Sequence, residues 1–160
     1  MAITELLRLS ELFAELAPEQ VEKVAALGRE EVYTAGDIII HEGAPPDAIY
    51  VICNGMVEVE VSKVAIPDVP GSPRLNSIVR LGQGQMFGEM GLVDRGARSA
   101  TVRCVEDGTT LHAIAHEAFR DLCDSDHYIG YIVMRNIASD LSFKLRHRNL
   151  QMELGGGEWQ

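Results

Sequence analysis

Cysteine, basic charge and long apolar runs are all scarce in this chain of 160 residues. The three cysteines, Cys53, Cys104 and Cys123, are widely spaced, odd in number and form no CxxC pair. That usage argues against a disulfide framework and points to buried thiols in a reducing, cytoplasmic setting. Lysine and arginine together number 14 against 24 acidic side chains, a net charge of −10. Nucleic acids are bound chiefly by neutralising their phosphates, so this balance argues against a nucleic-acid partner for the chain as a whole, while a local basic group can still hold one small anion. No apolar run approaches membrane-spanning length, and the N-terminus MAITELLRLSELF lacks a basic region followed by an apolar stretch. Neither a membrane partner nor secretion is expected. No Gly-x-Ser-x-Gly elbow or nucleophile–base pair is visible, so the chain does not read as an enzyme.

What is present is ordinary globular composition, 46% hydrophobic and 24% charged, in a length that suits one domain with a real core. Residues 3–16 carry Ile3, Leu6, Leu7, Leu9, Leu12, Phe13 and Leu16 at helical spacing, which predicts an amphipathic helix capping its own domain. Pro18 opens a second helix, with Val21, Val24 and Leu27 inward and Gly28 as the stop. From Glu30 the pattern turns to short strands: Glu31–Thr34, Asp37–His41, Ala48–Cys53, Met56–Val61, Asn76–Leu81, Ser99–Val105 and Thr109–Ile114. Asn54-Gly55 reads as a two-residue hairpin turn, since both positions tolerate positive φ. Val57, Val59 and Val61 alternate with Glu58 and Glu60, one dry face and one wet. The proline-rich stretch VAIPDVPGSPR must be a loop. Many short strands with close turn signals predict a mainly β fold, an antiparallel β-roll or jelly roll (a double-stranded β-helix), flanked by the N-terminal helices and a C-terminal helical third. There, a short helix covers Glu117–Cys123 and a long one runs from about His127 to Leu150, with a stripe of Ile129, Ile132, Val133, Ile137, Leu141 and Leu145. The expected organisation is a single domain over residues 1–150 (helices 1–28, β-roll 29–115, helices 116–150) and a flexible tail, 151–160.

The candidate site is the stretch FGEMGLVDRGARSATV, residues 87–102. A glycine-flanked carboxylate, Glu89, is followed nine residues later by Arg98 and then by small residues. Glu89 can accept a hydrogen bond from a hydroxyl, whereas Arg98 offers a planar, permanently charged fork for a phosphate. Gly88 and Gly91 let the backbone approach closely, and a short helix starting near Gly88 would aim free N–H groups at the anion. The pattern suits an anion that also carries a sugar hydroxyl.

Within this layout the stretch resembles the phosphate-binding cassette of the cyclic nucleotide-binding domain family, which includes the sensor domains of bacterial catabolite activator proteins and of protein kinase A regulatory subunits. The family pattern F-G-E-hydrophobic-[AG]-L, a short variable stretch, then R-[AST]-A-[ST]-hydrophobic is met here by FGEMGLV, DRGA and RSATV. Gly36, Gly43 and Gly55, with Tyr50 and Ile52 before the Asn54-Gly55 turn, are similar to the family's front half. The resemblance covers about residues 5–150. It implies that Glu89, helped by the Gly88 backbone, binds the ribose 2′-hydroxyl, and that Arg98 pairs with the exocyclic phosphate oxygens, joined by Ser99 and the Ser99–Ala100 backbone. Such charge-assisted bonds are worth roughly 1.5–3 kcal/mol each. Met90 and Gly91 complete the cassette, Ile78, Val79 and Val59 would form an apolar wall for the purine, and Asn136, Ser139 or Asp140 would meet the base from the long helix.

Ser99 leaves the purine open. A hydroxyl residue after the arginine occurs in bacterial cAMP sensors and in cGMP-selective domains, while alanine is typical of kinase regulatory subunits. Cyclic AMP is expected in preference to cGMP. The implied function is an allosteric sensor with no separate cofactor, in which ligand reorders residues 87–102 and the C-terminal helices relay occupancy to an effector protein that the sequence does not name. The alternatives are a scaffold domain of the same fold that binds no nucleotide, its Glu89 and Arg98 a structural ion pair, and a sensor of another ligand, such as a dinucleotide or haem. His112 and His116 lie four apart, but a strand over Thr109–Ile114 removes the helical spacing a metal pair would need, and His116 falls at the cap of the next helix. No metal site is expected. Arg135, Lys144, Arg146, His147 and Arg148 make the last helix basic, which its C-terminal dipole favours by itself. A helix of about 35 Å outruns a small barrel, and Asn136 would suit a register-setting contact, so a homodimer through this helix is expected. Transcription factors resembling this domain continue into a helix-turn-helix. Ten residues after Leu150 are too few for one, so the chain reads as a stand-alone module or an excised domain.

Overall fold

The hydrophobic residues of β3 (Ala48–Asn54) divide between two cores, and this division organises the molecule. Tyr50 and Ile52 point into a sheet-lined core with Val57, Phe87, Val102 and Leu111. Ile49 and Val51 point the other way, into a helix-lined core with Leu6, Leu7, Phe13, Val21, Val24, Phe119, Ile129 and Val133. A strand buried on both faces needs a continuous apolar run rather than alternation, as Ala48–Ile52 provides.

The computed structural model describes residues 1–45, 47–64, 70–71, 74–94 and 100–154, with side chains excepted at 62–64, 74–75, 77 and 148–154. Two four-stranded antiparallel sheets form the β-roll. One has the order β1 (Arg29–Tyr33), β8 (Thr109–Ala115), β3, β6 (Met86–Phe87); the other has β2 (Ile38–Ile40), β7 (Ala100–Cys104), β4 (Met56–Val64), β5 (Arg74–Gly82). The β4–β5 register runs from Met56 opposite Gly82 to Val64 opposite Arg74. Helices α1 (Ile3–Leu9), α2 (Pro18–Ala26), α3 (His116–Ser125) and α4 (His127–Leu154) cover the first sheet. This is the helix-flanked antiparallel roll expected from the strand pattern.

Three expectations need correction. The helix predicted over 3–16 ends at Leu9. The Ser10 hydroxyl donates to the Leu7 carbonyl at 2.7 Å and accepts the Phe13 N–H at 3.3 Å, a local bonding pattern that competes with the helix and opens a turn. Leu9, counted in the apolar stripe, is consequently exposed. Asn54-Gly55 is not a hairpin: β3 pairs with β8 and β6, whereas β4 pairs with β5 and β7, so the turn carries the chain from one sheet to the other. Gly55 has φ 95°, and a Cβ there would lie 2.3 Å from Thr109 Oγ1 and 2.7 Å from Thr109 Cα. Both the dihedral and the close approach demand glycine. Finally, the α4 stripe is split, since Ile129, Ile132, Val133 and Ile137 are buried while Leu141 and Leu145 are exposed. The proline-rich loop lies largely outside the described residues, and α4 continues to Leu154, four residues into the stretch expected as tail, of which 155–160 lie outside them.

Candidate functional site

Phe87 ends β6 buried in the sheet core, its ring stacked on Tyr50 with centroids 4.9 Å apart. Gly88 follows with φ 86° and ψ −1°, a left-handed conformation that redirects the chain into a single 3-10 turn, Glu89–Leu92. Leu92 closes the turn, buried in the helix-lined core. The carboxylate-bearing turn is therefore strung between the two cores, anchored at each end by one apolar side chain. Glu89 is half-buried and Met90 is exposed.

A cleft of about 520 Å³ opens beside this turn, within the usual range for small-molecule sites. It is lined by Glu89 and Met90 of the turn, by the strand residues and loop around Leu81 and Met86, by the N-terminal turn Leu9–Leu12, and by Asn136, Ile137, Asp140 and Lys144 of α4. Asp140 and Lys144 form an i,i+4 ion pair at 2.9 Å, one turn apart on that helix. The Asn136 side-chain amide donates to the Leu12 and Ala14 carbonyls, both at 3.0 Å. That nitrogen is thus committed within the chain. Arg135 and Glu15 form an ion pair alongside, so α4 grips the turn between α1 and α2.

The remaining predicted residues fall as follows. Gly91 is buried in the 3-10 turn, and Ala100 begins β7 opposite Val61. Arg98 and Ser99 lie outside the described residues. Strand alternation separates Ile78 from Val79: Val79 sits opposite Val59 on the face that carries Leu81, whereas Ile78 sits opposite Glu60, on the face where Arg80 pairs with Glu58 at 2.9 Å. Only Val79 of the two shares a face with a residue lining the cleft. Ser139 is exposed and does not line it.

His116 does not cap α3; Ala115 holds the N-cap position and no side chain caps it. Instead His116, fully buried, places Nε2 2.9 Å from the Gly88 carbonyl, so that nitrogen must carry the proton. One turn on, Arg120 Nη2 donates to the Gly91 carbonyl at 3.0 Å. Sequence reasoning missed both, although their i,i+4 spacing at a helix start was a usable signal. His112 Nε2 meets the Ala25 carbonyl at 2.9 Å and fills the space a Gly28 side chain would need. Among the described residues no group of three His, Cys, Asp or Glu side chains is placed to hold a metal, and no helix is long and apolar enough to cross a membrane. Burial, then the neighbouring Asp124 and Asp126, pushes the Cys123 thiol up to about 11; burial also raises Cys53.

A glycine-bracketed carboxylate turn on the wall of a cleft, inside an antiparallel roll closed by a long helix, defines a ligand-binding regulatory domain. Residues 30–126 match the cyclic nucleotide-binding domain family, and the chain belongs to it. It is 32% identical over 145 residues to the cyclic AMP receptor protein of Thermus thermophilus, an alignment covering 91% of this chain and 62% of that relative. The crystal structure of the Thermus thermophilus catabolite activator protein matches with a TM-score of 0.70 at 31% identity, over 92% of this chain and 63% of that one. The N-terminal domain of a transcriptional regulator from Streptomyces coelicolor A3(2) matches with a TM-score of 0.73 at 26% identity, over 89% and 94%. The chain spans less than two thirds of the length of the two Thermus relatives.

Proposed function

We propose that the chain is a cyclic nucleotide sensor that binds cAMP in preference to cGMP and relays occupancy through α4. The observation that carries this reading is that Glu89 and α4 line one cleft. A ligand held by the cassette would touch the long helix directly, and a ligand shifts only those states it contacts differently. Glu89 would accept the ribose hydroxyl beside the Gly88 backbone, with Met90 and Gly91 shaping the turn. Arg98, Ser99 and Ala100 would hold the phosphate, and Val79, rather than Ile78, would meet the purine. The relative of 32% identity named for cyclic AMP supports the choice of purine. On this reading residues 1–150 are one cytoplasmic sensor domain, with an effector protein as its partner.

Exposed Leu141, Phe143 and Leu145, beyond the buried part of α4, support pairing of two copies through that helix. Competition for a fluorescent cAMP analogue tests the ligand and its purine together. Unlabelled cAMP should displace it at least about tenfold more strongly than cGMP, and Glu89→Gln should weaken both by roughly tenfold, the loss of one charge-assisted bond. Equal displacement by the two nucleotides would reject the purine assignment, and failure of the analogue to bind would reject the sensor reading.

A further inference from the structure

The 3-10 turn that carries Glu89 is held from behind by two side chains of one helix. Gly88 and Gly91 each present a main-chain carbonyl to α3, one accepting from His116 Nε2 at 2.9 Å and the other from Arg120 Nη2 at 3.0 Å. The Gly88 carbonyl also accepts the Gly91 N–H at 3.3 Å, so the two gripped groups belong to one closed turn. His116 is itself fixed: it is 1% exposed, and its own N–H donates to the Asp47 carbonyl at 2.8 Å. Between the two, Phe119 is fully buried with Leu92, the last residue of the turn, in the same core.

Helix α3 is in turn tied to α4. A Cβ placed on Gly130 would lie 3.0 Å from Cys123 Cβ, a tight seam between the helices. Asp126 joins them, its N–H donating to the Leu122 carbonyl at 2.7 Å and its carboxylate accepting the Ile129 N–H at 3.3 Å.

We infer that His116 and Arg120 are positioning residues that latch the Glu89 turn to α3, so that the turn cannot shift without breaking two hydrogen bonds or moving α3 and, through the Asp126 joint, α4. The inference rests on the reading of the turn as the ligand site. It names the groups that carry the relay, and neither group bonds the Glu89 carboxylate. A buried donor–acceptor pair has two discrete arrangements, made or broken, as a switching element requires.

Hydrogen–deuterium exchange on the full chain tests it in two arms, using Arg120→Met, His116→Leu and His116→Gln, each checked for a cooperative thermal transition. Without ligand, exchange over residues 86–94 should rise about fivefold in Arg120→Met and in His116→Leu, the effect of losing one net hydrogen bond. His116→Gln, whose amide can donate to the same carbonyl, should stay within about twofold of the parent. With saturating cAMP, the change in exchange over residues 134–147 should fall at least about fivefold in Arg120→Met, while its affinity for cAMP stays within about tenfold. Unaltered exchange over 86–94 in both disruptive variants, no rescue by glutamine, or an undiminished α4 response would overturn the latch. Absence of any cAMP binding by the parent protein would reject the ligand reading alone, and the ligand-free arm then decides the latch by itself.

Discussion

The two halves of α4 carry the same kind of apolar spacing and meet opposite fates. In the first half Ile129, Ile132, Val133 and Ile137 are buried against the roll and its helices, with Ile129 and Val133 fully enclosed. In the second half Leu141, Phe143 and Leu145 lie 36%, 69% and 59% exposed. Asn136, on the near side of that boundary, bonds the N-terminal turn, and Asp140 and Lys144, which both line the cleft, pair with each other. The difference teaches that a helical stripe reports a buried face only as far as the chain supplies something to cover it. The first half belongs to the domain core, and the second is available to a ligand in the cleft or to a second copy.

That contrast can be broken most sharply at Ile129. Ile129→Ala should destabilise the domain by about 2–5 kcal/mol in urea unfolding, with a cavity in the helix-lined core, whereas Leu145→Ala should stay within about 0.5 kcal/mol at concentrations where the chain is monomeric. Equal effects would erase the distinction between the halves. Asn136→Ala, at the boundary, should cost roughly 1–3 kcal/mol by orphaning the Leu12 and Ala14 carbonyls, and the same titration reads it. Phe143→Glu should leave folding within about 0.5 kcal/mol and act only on assembly, shifting sedimentation from dimer toward monomer; a parent protein that sediments as a monomer at high concentration would remove the pairing surface. The smallest effect concerns the seam under the first half. With its pKa raised to about 11, Cys123 should be alkylated by iodoacetamide at pH 8 roughly a hundredfold more slowly than a free cysteine, and the rate should climb as pH rises through 9 to 11 because only the thiolate reacts.

Much of this was legible in the sequence where the deciding interaction is local. The short apolar run at Ala48–Cys53 announced a strand, the alternation of Val57, Val59 and Val61 announced one with a dry and a wet face, and Pro18 marked the start of α2 to the residue. Glycines on both sides of Glu89 announced the tight turn whose N-cap, Gly88, is left-handed. What stayed hidden depends on partners distant in sequence. Asn54-Gly55 specifies a reversal but not the sheet that β4 joins, which Thr109 and the pairing with β7 decide. Ser10 looked like one more helical residue until its hydroxyl found the Leu7 carbonyl. Ile78 and Val79 looked equivalent until the register with β4 assigned them to opposite faces. His116 and Arg120 showed only a shared helix face by their i,i+4 spacing; what that face grips stayed hidden, because the acceptors are main-chain carbonyls some thirty residues away.

The most direct test is isothermal titration of cAMP into the parent protein and into Arg98→Ala. The expected result is a saturable isotherm for the parent, weakened at least about tenfold in the variant by loss of the charged fork that would pair with the phosphate. A flat isotherm for the parent, or the same affinity in the variant, would contradict a cyclic nucleotide held by this cassette.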